Sequence, residues 1–260
     1  MRRLTTIIIA GAALLLSGCV IDDGTPKKYQ VIATQLWEAS RSDLNRINDI
    51  LELMLDVETL LSIEDATERE TFQHNQFRSS TIYYDNNVIR IVTPTKYGTS
   101  YTTTITTNGR TLAEGGTWSI LRTGGWEYRL EAKGKNGNVV IYISDLYHNE
   151  SHGTASVELS YDYSGLGSAL CITYTCSMTM SDTDKSVEKP LHITTTTTTP
   201  IRYSTNEGMT AGSMEIEWHD LYHDTAGDVF VHIDPYGEPS RHFVTIEFLD
   251  WCNDYYYDRI

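Results

Sequence analysis

The sequence predicts an α+β chain, mainly β: N-terminal helices followed by an antiparallel meander that closes as a β-sandwich or barrel. Three observations lead there. Between residues 30 and 61, Ile47, Ile50, Met54, Val57 and Leu61 recur at helical spacing, with Leu44, Leu51 and Leu60 widening the stripe. From residue 79 the pattern changes to period two, as in Ala155, Val157, Leu159, Tyr161 and Tyr163 between Ser156, Glu158, Ser160 and Asp162. The connections are short and turn-like: Asn86-Asn87, Asn108-Gly109, Gly124-Gly125 and Asn136-Gly137.

The chain opens MRRLTTIIIAGAALLLSGCV. Arg2 and Arg3 precede an apolar run, Ile7 to Leu16, too short for a bilayer span of about 20 residues and suited to a cleaved export signal. The boundary Leu16-Ser17-Gly18-Cys19 resembles the lipobox of bacterial lipoproteins. That resemblance implies cleavage before Cys19, acylation of Cys19, and stable anchoring by several acyl chains. Val20 in place of Asp after the Cys implies, by likeness to enterobacterial lipoproteins, the outer membrane. Asp22-Asp23 resembles the acidic export tag of some surface lipoproteins, so the anchored chain faces the periplasm or the surface.

The expected organisation is a signal peptide at 1–18, a lipidated tether at 19–29, a helical segment at 30–75 packed on the sheet, and the β domain at 76–260. Ser40-Arg41-Ser42-Asp43 interrupts the stripe and reads as a cap between two helices, with a further short helix over 64–74. The strands alternate apolar with polar, so one face is buried and the other wet, which is the antiparallel signature. Further examples are Trp126, Tyr128 and Leu130; Leu170 through Met178; and Met214, Ile216 and Trp218. An internal echo links Asp145-Leu146-Tyr147-His148 to Asp220-Leu221-Tyr222-His223. Each is followed by Gly, a strand, a turn and a strand, which suggests a duplicated three-strand unit over 138–180 and 213–252.

Composition limits the partners. The 260 residues carry 20 Lys plus Arg against 35 Asp plus Glu, net -15. Loss of residues 1–18 removes Arg2 and Arg3 and leaves 18 against 35, net -17. An acidic chain lacks the basic face that nucleic acid requires, so none is expected as a partner. The membrane is reached through lipid on Cys19 instead. Outside the signal, three cysteines remain: Cys171, Cys176 and Cys252. Cys171 and Cys176 lie on opposite faces of one strand and cannot pair; Cys176 with Cys252 stays open.

Candidate chemistry clusters at the two echoed segments. His148, His152, His219 and His223, beside Asp145, Glu150, Asp220 and Asp224, are the candidate metal ligands. On strand ends and loops, the alternative is that they cap the sheet rim. Asp182 to Glu188 fails as an EF-hand, because Val187 stands where Gly is needed. The threonine runs at 102–107 and 194–199 make a stiff wet face, suited to carbohydrate or to solvent alone, and Pro200 is expected to protect an edge. Asp145, Tyr147, His148, Asp220, Tyr222, His223, Trp251 and Tyr255 are the candidate binding residues. Asp224-Thr225-Ala226 resembles a bacterial O-glycosylation acceptor. No Gly-x-Ser-x-Gly elbow, phosphate-binding glycine loop or HExxH is present, so no catalytic residue or cofactor is assigned.

The function expected from the sequence is a lipid-anchored envelope protein that binds glycan or protein ligands without catalysis. Gly116-Thr117-Trp118 resembles the Gly-x-Trp that opens the lipocalin barrel, and implies as an alternative a carrier of an apolar ligand. A metal-assisted envelope hydrolase is the second alternative.

Overall fold

The computed structural model describes residues 27–148, 151–160, 171–182, 192–220, 225–235, 242–248 and 251–258. Two helices come first. Helix α1 (Lys27–Ser62) is a single rod of 36 residues, about 54 Å long at 1.5 Å per residue. The expected break at Ser40 to Asp43 is absent. The Ser40 hydroxyl lies buried against the Thr195 hydroxyl at 2.9 Å, and Asp43 accepts from Arg46 at 2.6 Å. These polar side chains therefore find partners without leaving the helix. Helix α2 (Ala66–Gln76) starts at an N-cap, Asp65, whose carboxylate accepts from the Glu68 N–H at 2.8 Å.

Thirteen strands follow in one antiparallel ladder, each paired with its sequence neighbours. They are β1 (Thr81–Asp85), β2 (Val88–Pro94), β3 (Ser100–Thr107), β4 (Thr117–Thr123), β5 (Glu127–Lys135), β6 (Asn138–His148), β7 (Ser151–Ser160), β8 (Cys171–Asp182), β9 (His192–Ser204), β10 (Gly208–Asp220), β11 (Thr225–Pro235), β12 (His242–Phe248) and β13 (Trp251–Asp258). The fold class read from the sequence holds: α+β, mainly β, helices before an antiparallel meander. Asn86 and Asn136, at φ 49° and 51°, make the tight turns before β2 and β6. Strands β1 and β13 are not paired with each other. With an odd count both run the same way, so closure would require a parallel pair, the less stable kind.

The layering is sandwich-like, with α1 as the second layer. In β5, Tyr128, Leu130, Ala132 and Gly134 face inward while Glu127, Arg129, Glu131 and Lys133 face water. The inward side chains of β2 through β11 join Leu36, Trp37, Leu44, Ile47 and Leu51 of α1 in one apolar core. The sheet bends round the helix. Tyr174 of β8 donates to Asn48 at 2.8 Å, and the Ala113 N–H, between β3 and β4, donates to Glu58 at 2.6 Å. Asp49 acts electrostatically on both Arg122 of β4 and Tyr203 of β9, five strands apart in the ladder.

Several local expectations are corrected or sharpened. Pro200 does not guard an edge, since β9 is paired on both sides. It sits where both ladders of β9 shift register, a position that needs no amide donor. Cys171 is exposed and Cys176 buried, as opposite faces require, and both thiols are free. Burial pushes the Cys176 thiol up to about 12 and leaves it inert. The echoed segments fall on the triplets β6–β8 and β10–β12, but their registers differ. Gly153 pairs with Leu146, whereas Gly227 pairs with Trp218.

The core makes a direct prediction. Leu51 is fully buried on α1. Leu51→Ala should lower unfolding stability by about 2–5 kcal/mol in urea titrations. Asn45→Ala, on the exposed side of the same helix, should change it by less than about 0.5 kcal/mol.

Candidate functional site

The site begins with a bulge. Up to Ile143, odd-numbered residues of β6 face the core. The ladder to β7 then slips between Ile143 and Leu146. That slip turns Leu146 inward, fully buried, and Tyr147 outward. Without it the apolar Leu146 would face water and Tyr147 the core. Asp145 lies at the bulge and pairs with His152 of β7 at 2.8 Å. Tyr142 and Tyr147 are 57% and 42% exposed on the same outer face.

Register extends this corner into rows across the sheet. Tyr147 stands opposite His152, then Ser181 of β8, His192 of β9 and His219 of β10. The Ser181 hydroxyl and His192 Nδ1 are 3.1 Å apart. A second row runs Tyr142, Ser156, Ser177, Thr196, Glu215. Between them, Thr154, Thr179, Thr194, Glu217 and Asp228 form a third. At 4.7–4.9 Å per strand, β6 to β10 spans about 19 Å. The surface carries hydroxyls and imidazoles with tyrosines at one margin and carboxylates at the other. Glu215, Glu217 and Asp228 bring their oxygens within 4.8 Å of one another, and they form the one group with metal-ligating spacing among the described residues.

The predicted residues are therefore only partly gathered. Asp145, Tyr147 and His152 meet, and they sit on strands rather than in a loop. His219 lies in the same row as His152 with β8 and β9 between, about 14 Å away, so the two cannot share one ion. His148 and Asp220 end β6 and β10 on the same rim of the sheet. Those strands are separated by three others, so His148 and Asp220 stand apart along the rim. Trp251 and Tyr255 lie on the edge strand β13, far from this corner in the ladder. Cys19, Tyr222 and His223 lie outside the described residues, as do Glu150, Asp224 and most of the EF-hand-like segment. Tyr142, Ser181, His192 and the Glu215 group were missed. Their residue types give no signal until strand pairing aligns them.

A second polar cluster lies beneath α1. The Arg122 guanidinium stacks on Tyr101 at 3.8 Å and Trp126 at 4.3 Å, with the Asp49 charge nearby. Tyr203 donates to Glu52. Burial raises Asp43 to about 6, against the opposing pull of Arg46, and raises Asp56 to about 7, helped by the Glu52 charge. Glu58 is also raised by burial, although it accepts the Ala113 N–H. The Tyr203–Glu52 and Ala113–Glu58 bonds tie the helix to the sheet on the face opposite the outer rows. No family model, curated protein or solved structure matches this chain.

The raised carboxylates set a pH dependence. A buried Asp that holds its proton more tightly when folded stabilises the fold fully below the unfolded value near 3.8 and loses that contribution as pH rises to the folded value. Asp56→Asn should therefore melt higher than the parent at pH 8. The two should converge near pH 3.5 in thermal scans.

Proposed function

We propose that the chain is a lipid-anchored protein of the bacterial outer membrane that binds glycan or protein ligands on the outer face of β6–β10. The observation that carries the reading is the exposed Tyr147 beside the close Asp145–His152 contact, with Tyr142 exposed further along the same face. Large aromatic rings held open to water on a rigid strand offer an apolar platform. The flanking carboxylate, imidazole and hydroxyls supply directed hydrogen bonds. The lipobox-like Leu16-Ser17-Gly18-Cys19 and the acidic composition support the anchor. Anchoring through lipid leaves the face free to project from the membrane.

The two alternatives have less support. A lipocalin-like carrier requires an apolar cavity, and here α1 fills the inner face with Trp37, Leu44, Ile47 and Leu51. Trp118 of the Gly-x-Trp match is fully buried and donates from Nε1 to the Arg110 carbonyl at 2.9 Å, after three strands instead of at the start of the sheet. A hydrolase requires carboxylates in a cleft that excludes water. Glu215, Glu217 and Asp228 lie on the open outer face.

Two experiments test the reading. Expressed in a bacterial host with a labelled palmitate precursor, the chain should take up label and enter the detergent phase. Cys19→Ser should do neither. A glycan array combined with pull-down from envelope extracts should return a ligand whose binding falls about tenfold or more in Tyr147→Ala, the loss expected for an aromatic anchor. Silence in both assays would sink the binding reading and leave the anchor standing.

A further inference from the structure

The open edge of the sheet carries an inference independent of the outer rows. Among the described residues, strand β1 has β2 on one side and no strand on the other. Its outward N–H and C=O groups are a template for another strand. Two of the most exposed large apolar side chains among the described residues, Tyr83 at 56% and Tyr84 at 49%, lie on this five-residue strand. Strand β13 cannot satisfy that edge antiparallel within one chain, because it runs in the same direction as β1.

We propose that β1 pairs antiparallel with β1 of a second copy about a two-fold axis normal to the sheet. The register follows from the faces. Residues opposite each other in an antiparallel pair share a face, and Ile82 and Tyr84 face inward beside Ile91 and Ile89. A slip of one residue would set inward against outward side chains. The register that keeps the faces and pairs all five residues sets Tyr83 against Tyr83 of the other copy, Ile82 against Tyr84, and Thr81 against Asp85. The arrangement is self-complementary, as a two-fold contact must be.

Charge fits the same register. Asp85 of each copy comes beside Thr81 of the other and toward Arg78, exposed three residues before it. Arg90 stands behind Tyr83 on β2, and Arg69 of α2 acts on Tyr84. This edge therefore mixes both signs in a chain of net charge -15, which lowers the repulsion between two such acidic chains there. A strand contact of five residues is small against the ~1,200 Å² of a stable interface, so the dimer is weak and reversible in solution. Confinement of both copies to one membrane would raise its occupancy.

Site-specific cross-linking of the full-length protein in detergent tests the register. In a Cys171→Ser, Cys252→Ser background, Tyr83→Cys should give a disulfide-linked dimer under mild oxidation, since facing Cα atoms fall within disulfide reach. Ile82→Cys or Tyr84→Cys alone should not, but the two mixed should. Tyr84→Pro removes a backbone donor from the open edge, since Asp85 and Tyr83 exchange their hydrogen bonds with Val88 and Arg90 of β2, and should abolish a dimer seen by sedimentation while the melting temperature stays within a few degrees. No cross-link through Tyr83→Cys, or equal cross-linking at all three single positions, would overturn the proposal. The cross-link does not depend on glycan binding, so its failure is separate from failure of the binding reading.

Discussion

The structure depends on one packing arrangement: the apolar side of α1 pressed into the inner face of a thirteen-stranded sheet. A sheet of this width with one apolar face must cover that face, by closing on itself or by another layer. Thirteen antiparallel strands close only through a parallel pair, and α1 supplies the alternative. Trp37, Leu44, Ile47, Leu51 and Leu60 are 0–1% exposed, so the helix is a core element rather than an appendage. Its length follows from the same demand, because a rod of about 54 Å can meet strands from β4 to β10 while the sheet bends round it.

The polar groups on α1 are consistent with this arrangement. A helix enclosed by strands must bury side chains on more than one stripe, and some of those are carboxylates. Glu58 accepts a backbone N–H through Oε1 while its buried Oε2 has no partner, Asp43 pairs with Arg46, and Glu52 accepts from Tyr203. Burial, with the Glu52 charge adding to it, raises Asp56 to about 7. The Ser40–Thr195 and Asn48–Tyr174 bonds fix the helix along its axis, because a shift of one turn would break both at once. Apolar contact holds the helix in, and these directed bonds select its register.

Much of the fold was legible in the sequence because periodicity is a local property. The helical stripe, the alternation of β5 and β8 and the Asn turns are each visible within a dozen residues. The single continuous α1 was not, because Ser40 and Asp43 are good cap residues and only the sheet, 155 residues away at Thr195, supplies the partner that keeps Ser40 helical. The candidate site was less legible for the same reason. Asp145 and Tyr147 stood out in the echoed segment, but the bulge that turns Tyr147 outward has no sequence signature beyond a break in alternation. His192 belongs to the row only because β8 and β9 align it with Ser181.

Bulge and rows together explain why the outer face differs from an ordinary wet face. A regular β6 would continue with Leu146 exposed and Tyr147 buried, and the sheet rim would lose an apolar side chain to water. The inserted residue repairs the core and, by the same shift, exposes a tyrosine next to the Asp145–His152 contact. Beyond it, Thr154, Thr179 and Thr194 occupy consecutive strands, and the Thr179–Thr194 hydroxyls bond each other at 3.2 Å. β-branched side chains are stiff about χ1 and hold their hydroxyls in fixed directions. Each hydroxyl retains further acceptor capacity after one cross-strand bond. A stiff surface with unused hydrogen-bonding capacity loses little conformational entropy when a ligand settles on it. The same strands cannot receive a partner through their backbones, since β7, β8 and β9 are paired on both sides. A ligand on this face would therefore be met through side chains, and pairing through the backbone is left to the edges.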